Sequence, residues 1–234
     1  MDLIKTDGIE KEIKGIISYP QEQFIKIIRE VGFECDRCGK CCTSEFNDHV
    51  FLLDDDVQRI IEHSGGECLR PAPYYDFCDN LGRFYVSGYA LKIKPGSNCI
   101  FYTGGRCEIY NIRPLVCRIY PYMLHREADD DGNVEWRQIS GLDRHGFYHS
   151  DIDDGTCKEI IKEVKKYESG FLGQKLRFLH AVRDLFRKHG LRQSQQMYDR
   201  RMRDFKKGKE IEVYVFFKGT FVKEIISNQI INPK

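Results

Sequence analysis

The stretch FECDRCGKCC sets Cys35, Cys38, Cys41 and Cys42 within eight consecutive residues, and a packed core does not use four thiols at that density in so polar a loop. A thiol every third residue returns the side chain to about the same direction in a tight, turning loop, so Cys35, Cys38 and Cys41 can close around one centre. The gaps hold Asp36, Arg37, Gly39 and Lys40, which suit a loop, and Gly39 permits left-handed backbone. Adjacent side chains diverge, so Cys42 is expected to reach another atom of a cluster or a second site. The pattern reads as a metal site rather than as buried thiols or a disulfide.

A chain of 234 residues buries a real core without cysteine staples, so its ten cysteines need another explanation. Acidic residues interrupt each apolar patch of the N-terminal MDLIKTDGIEKEIKGIIS and no small-residue cleavage site follows, which argues against a signal peptide. No apolar run approaches the ~20 residues that span a bilayer. A cytoplasmic, reducing setting is expected, where clustered cysteines bind metal. The net charge of +1 hides an asymmetry: 19 Lys and Arg against 9 Asp and Glu from Lys158 onward, and 18 against 27 before it. A basic tail of that size suits nucleic acid, an acidic protein partner or the chain's own acidic half.

Along the chain, YPQEQFIKIIREVG reads as a helix, with Phe24, Ile27, Ile28 and Val31 on one stripe and Gly32 as its stop. HVFLL has strand character, and Asp54 then caps a helix through His63 with Val57, Ile60 and Ile61 inward. Residues 67 to 82 read as irregular loop and RFYVSGYALKIK as a strand turned at Pro95 and Gly96. CIFYTGGRCEIY signals a hairpin. A two-residue Gly104–Gly105 loop would set Thr103 opposite Arg106 and Tyr102 opposite Cys107, with Cys99 and Cys107 on opposite faces. YNIRPLVCRIYP gives a short helix carrying Cys117, flanked by Arg113 and Arg118, which either balance thiolate charge or pair with surface carboxylates.

A second hairpin is expected over YMLHREADDDGNVEWRQISG, with its turn at Asp131 to Asn133. DIDDG at 151 to 155 fails as a calcium loop, because Lys162 stands where the bidentate Glu belongs. His145 and His149 are candidate ligands or simple loop histidines. Two helices follow, Lys158 to Glu168 and a longer one from Phe171 to Gly190, then a basic helical stretch with Tyr198, Met202 and Phe205 on one side, and the strand IEVYVFF. The aromatics of that stretch fit helix packing better than base stacking, which makes nucleic acid the weaker partner.

Three features combine: C-x2-C-x2-C-C at 35 to 42, C-x7-C-x-I-Y at Cys99 and Cys107, and R-P-x-x-C-R-x-Y-P ending at Pro121. In order and separation they resemble the CxxCxxCC family, the YkgJ-like cysteine-cluster proteins, over residues 33 to 125 or so. The resemblance implies a zinc- or iron-chelating domain whose cysteines are Cys35, Cys38, Cys41, Cys42, Cys99, Cys107 and Cys117; Cys157 follows as a possible eighth, while Cys68 and Cys78 do not match. The flagellin lysine methylase carries the same cysteine motif, which implies that some relatives act in protein methylation; this chain has no recognisable methyl-donor loop.

Structural zinc draws two separated C-x2-C knuckles, whereas C-x2-C-x2-C is the ferredoxin-like arrangement in which a remote cysteine completes a four-iron four-sulfur cluster. Iron–sulfur is favoured over zinc, with Cys117 as the remote ligand and Cys42, Cys99, Cys107 and Cys157 left for a second site. Three functions follow: a cluster protein in redox, cluster handling or protein modification; a zinc-stabilised interaction module with a basic tail; or a lysine methylase-like enzyme. The expected architecture is α+β: a metal-pinned domain at 1–157 with short strands and hairpins, then a basic, mostly helical segment at 158–234 packed on it.

Overall fold

The computed structural model describes residues 6–39, 41, 49–94, 98–122, 125–128, 134–137 and 145–227. The fold is mixed α+β, with six α-helices and ten strands among the described residues. It divides into two compact units that interleave along the chain: unit 1 is Met1–Val50 with Ser97–Gly173, and unit 2 is Phe51–Gly96 with Gln174–Lys234.

In unit 1, α1 (Asp7–Ser18) and α2 (Gln21–Val31) come first. The α2 stripe buries Phe24, Ile28 and Val31 at helical spacing, and Gly32 ends it in left-handed backbone at φ 50°. That glycine also has no room for a side chain, since a Cβ would stand 2.4 Å from the Ser150 carbonyl oxygen. Lys165 Nζ donates to the carbonyls of Ile17 at 2.9 Å and Tyr19 at 2.7 Å, satisfying acceptors that the end of α1 leaves open. Two hairpins, β5–β6 (Tyr102–Thr103 with Arg106–Cys107) and β7–β8 (His125–Ala128 with Val134–Arg137), flank the short α4 (Leu115–Ile119). The turn expected at Asp131 to Asn133 lies outside the described residues.

The two helices expected after Cys157 are one, α5 (Asp154–His189). A glycine in a helix interior costs about 1 kcal/mol, too little to break a stripe that buries Val164, Tyr167, Leu172, Phe178, Val182 and Phe186. Ser169 Oγ bonds back to the Lys165 carbonyl at 2.6 Å and so leaves the helix intact. DIDDG is a helix cap: Asp153 accepts from the amides of Gly155 and Thr156 and from the Thr156 hydroxyl. The boundary expected after Cys157 falls in the first turn of this helix.

HVFLL forms only the isolated bridge Phe51↔Ala90, and Asp54 is the first residue of α3 (Asp54–Ser64) with no capping bond of its own. Val57 and Ile60 point inward as expected, but Ile61 is 37 % exposed. RFYVSGYALKIK splits into β3 (Phe84–Val86) and β4 (Tyr89–Leu91), which join different sheets, and the loop before it contributes β1 (Leu69–Pro71) and β2 (Phe77–Cys78). The main sheet runs β10-β9-β3-β2, with β9 (Ile211–Phe217) parallel to β3 and β10 (Thr220–Ile226) antiparallel to β9. Phe84, Tyr85, Phe178, Phe186 and Phe216 fill its core. Ser194 caps α6 (Gln195–Lys206) by accepting from the Met197 amide at 3.2 Å, and Phe205 buries its inner face. Among the described residues no helix is long and apolar enough to cross a membrane.

Candidate metal centre

The cysteine loop leaves α2 through Phe33 and Glu34. Phe33 N donates to the Tyr122 hydroxyl at 3.0 Å, and Glu34 exchanges backbone hydrogen bonds with Phe147 at 2.8 and 2.9 Å. Gly146 passes under the Phe33 ring so closely that a Cβ there would stand 2.3 Å from a ring carbon. The loop's start is therefore fixed by a segment more than a hundred residues later in the chain.

Beyond Cys35 the backbone coils through two left-handed residues, Arg37 at φ 63° and Gly39 at φ 76°. Gly39 is as expected. Arg37 is not, since a β-carbon makes that conformation cost about 1 kcal/mol; its guanidinium lies 4.3 Å from the centre of the Tyr110 ring, against which Arg113 also rests at 3.7 Å. Asp36 turns the loop by accepting from the Cys38 amide at 3.0 Å. Its carboxyl is held below its ordinary value first by a hydrogen bond from the Cys38 side chain and then by that amide.

The Gly104–Gly105 hairpin has the expected register, Tyr102↔Cys107 and Thr103↔Arg106, with both glycines at positive φ, 56° and 78°. The strand argument for placing Cys99 and Cys107 on opposite faces does not apply. Tyr102 N donates to the Cys99 carbonyl at 2.9 Å, so the chain turns between them and strand alternation does not reach Cys99. Tyr102 instead meets the cysteine loop: its hydroxyl donates to the Cys38 carbonyl at 2.7 Å, and its ring covers Gly39, where a Cβ would lie 1.9 Å from a ring carbon.

Cys117 sits in α4, one turn before Tyr120. Burial above all pushes the Tyr120 hydroxyl up, and its ring packs edge-on against Phe33 at the start of the loop, with centres 5.4 Å apart. Phe33, Tyr120, His145 and Tyr148 make an aromatic wall there, with ring centres 5.2 to 5.4 Å apart for Phe33–Tyr148, Phe33–Tyr120 and Tyr120–His145. His149 has another job, its Nδ1 lying 3.1 Å from the Glu30 carbonyl at the end of α2. Of the two arginines beside Cys117, Arg118 pairs with Glu163 at 3.1 Å and Arg113 turns to the Tyr110 ring and carbonyl.

Cys35, Cys38, Cys41, Cys99, Cys107, Cys117 and Cys157 all belong to unit 1, and Cys68 and Cys78 to unit 2; Cys42 lies outside the described residues. The first six are partly exposed, whereas Cys157 is fully buried in the first turn of α5, where burial raises its thiol. None of the nine described cysteines is in a disulfide. Among the described residues no three His, Cys, Asp or Glu side chains converge tightly enough to hold a single metal ion. The donors nonetheless suit a thiophilic metal: several thiols on a coiled, pinned loop and on the segment packed against it. Tyr110 closes the C-x7-C-x-I-Y pattern, whereas Tyr102 and Arg37, which pin the loop with it, carry no signal in the spacing that marks the cysteines.

Residues 34–140 match the model of the CxxCxxCC family, described as "Putative zinc- or iron-chelating domain", and so reach past residue 125 to take in β7–β8. The match takes in somewhat less than half of the chain, and the cysteines at 35, 38 and 41 fit the motif of that family. Cys157 lies beyond the match. The uncharacterized protein MJ0661 of Methanocaldococcus jannaschii is 28 % identical over 105 residues, 44 % of this chain and 51 % of that protein. The match thus spans about half the length of that relative. No solved structure matches.

Proposed function

We propose that unit 1 holds a four-iron four-sulfur cluster through Cys35, Cys38, Cys41 and Cys117, and that the protein acts in the cytoplasm in redox, cluster handling or as an accessory to protein modification. The observation that carries this reading is the C-x2-C-x2-C spacing on a loop held against the segment that bears the other cysteines. Cys117 is the fourth donor in this reading because it is a remote cysteine in its own short helix, on the segment that follows the hairpin held against the loop. A bound cluster would supply one-electron chemistry. The chain's part is to hold the thiolates, and the aromatic wall of Phe33, Tyr120, His145 and Tyr148 would shield one side from water. Cys42, Cys99, Cys107 and Cys157 are then the candidates for a second site.

Zinc is the second reading, favoured by the family description, which names it beside iron. In that case the cysteines are structural and the basic segment after Lys158 docks a protein partner. Iron, zinc and acid-labile sulfide, measured on protein purified without oxygen, with visible spectra before and after dithionite, separate the two. Near-equal iron and sulfide with a brown colour that bleaches supports the cluster; zinc without sulfide overturns it.

A further inference from the structure

Tyr102 is not a metal donor, yet it touches the cysteine loop in two independent ways. Its hydroxyl donates to the Cys38 carbonyl at 2.7 Å, and its ring occupies the space over Gly39 that any side chain there would need. It also faces Cys107 across the β5–β6 ladder, and its amide closes the turn onto the Cys99 carbonyl. One residue therefore contacts or directly neighbours Cys38, Cys99 and Cys107. The stacking of Arg37 on Tyr110 joins the same two segments at a second point, so the Tyr102 contact acts on a loop already close to its partner. Removing it should loosen the loop without detaching it.

We propose that Tyr102 is a positioning residue for metal retention, latching the Cys35–Cys41 loop onto the hairpin that carries Cys107 so that the thiolates are preorganised before metal arrives. The proposal rests on the reading that unit 1 binds metal through these cysteines. A free loop would have to be ordered at each binding event, whereas a latched one holds its donors together while any single metal–sulfur bond opens. The hydroxyl and the ring make separable contributions, because Tyr102→Phe keeps the ring on Gly39 and loses only the bond to Cys38.

The experiment compares full-length wild type, Tyr102→Phe and Tyr102→Leu, each reconstituted without oxygen with iron and sulfide and, separately, with zinc. Metal content, the rate of metal transfer to excess chromogenic chelator, and urea stability with and without metal are measured. Tyr102→Phe is expected to take up the same amount of metal, to release it about fivefold faster, the usual worth of one neutral hydrogen bond, and to lose less stability without metal than with it, because the metal-free loop can relax open. Tyr102→Leu is expected to release it faster still. Release from Tyr102→Phe at the wild-type rate overturns the latch. Equal losses of stability with and without metal also overturn it, by making the contact merely structural. A wild type that binds neither metal sinks the underlying reading, an outcome distinct from wild-type retention in a variant that does bind.

Discussion

Unit 2 secures its chain by burial. Its strands stack Phe84, Tyr85, Val213, Val215 and Phe216 against Phe178 and Phe186 of α5, and the Asp79 carboxylate, wholly buried, bonds to Arg83 at 2.6 Å and Tyr85 at 2.8 Å. Cys68 and Cys78 belong to that interior as small apolar fillers. Unit 1 holds its cysteine segment by a short backbone pairing to Phe147 and by side-chain contacts through Tyr102, Arg37 and Tyr122. The same side chain is thus buried in unit 2 and, Cys157 apart, partly exposed in unit 1 among the described residues. What separates the two is whether neighbouring residues supply an apolar enclosure or merely a shape.

The sharpest way to break that comparison is to remove a donor. Cys38→Ala should reduce bound metal to about a tenth or less and lower the protection of amides 33–41 and 99–117, while unit 2 amides exchange as before. Loss of protection in both units together would erase the distinction. Next in size is Asp79→Ala, which strands Arg83 and the Tyr85 hydroxyl and should cost about 3 kcal/mol in urea unfolding of unit 2 with metal content unchanged.

A smaller effect comes from Cys78, whose thiol is pushed up from 9.0 to about 12, first by burial and then by Asp79. The folded chain holds that proton more tightly than the unfolded one. Its contribution to stability is therefore full below pH 9 and is lost as the pH climbs toward 12, a loss that Cys78→Ala should abolish at a cost of about 1 kcal/mol at neutral pH. Fully buried and held protonated, Cys78 should resist iodoacetamide, as mass spectrometry of the folded protein would reveal. The smallest is Gly15→Ala in α1, where a Cβ meets nothing within 4 Å; it should add about 0.5 kcal/mol and leave metal binding alone.

What could be read from the chain was local. The α2 stripe, its Gly32 stop and the Tyr102↔Cys107 register each depend on residues within one or two turns of each other. The merger of two helices into α5 escaped because a Ser-Gly pair looks like a break until the packing on either side is known. The Tyr102 contact with Gly39 and the Phe147 pairing with Glu34 join residues 63 and 113 positions apart, and neither periodicity nor spacing carries such information. Nor does it carry the division into units, since each takes two stretches of chain. The cysteine spacing survives as a signal because the metal's geometry, not the surrounding fold, dictates it.

The Gly104–Gly105 turn has a practical consequence. Neither glycine has any atom within 4 Å of where a side chain would project, and the turn joins Thr103 to Arg106, one residue from Cys107 on one strand and one from Tyr102 on the other. A short fluorescent insert spliced between the two glycines would extend into solvent at little energetic cost. Quenching of its emission would then report occupancy of the neighbouring thiols in real time, turning a structural turn into a built-in gauge for metal arriving and leaving.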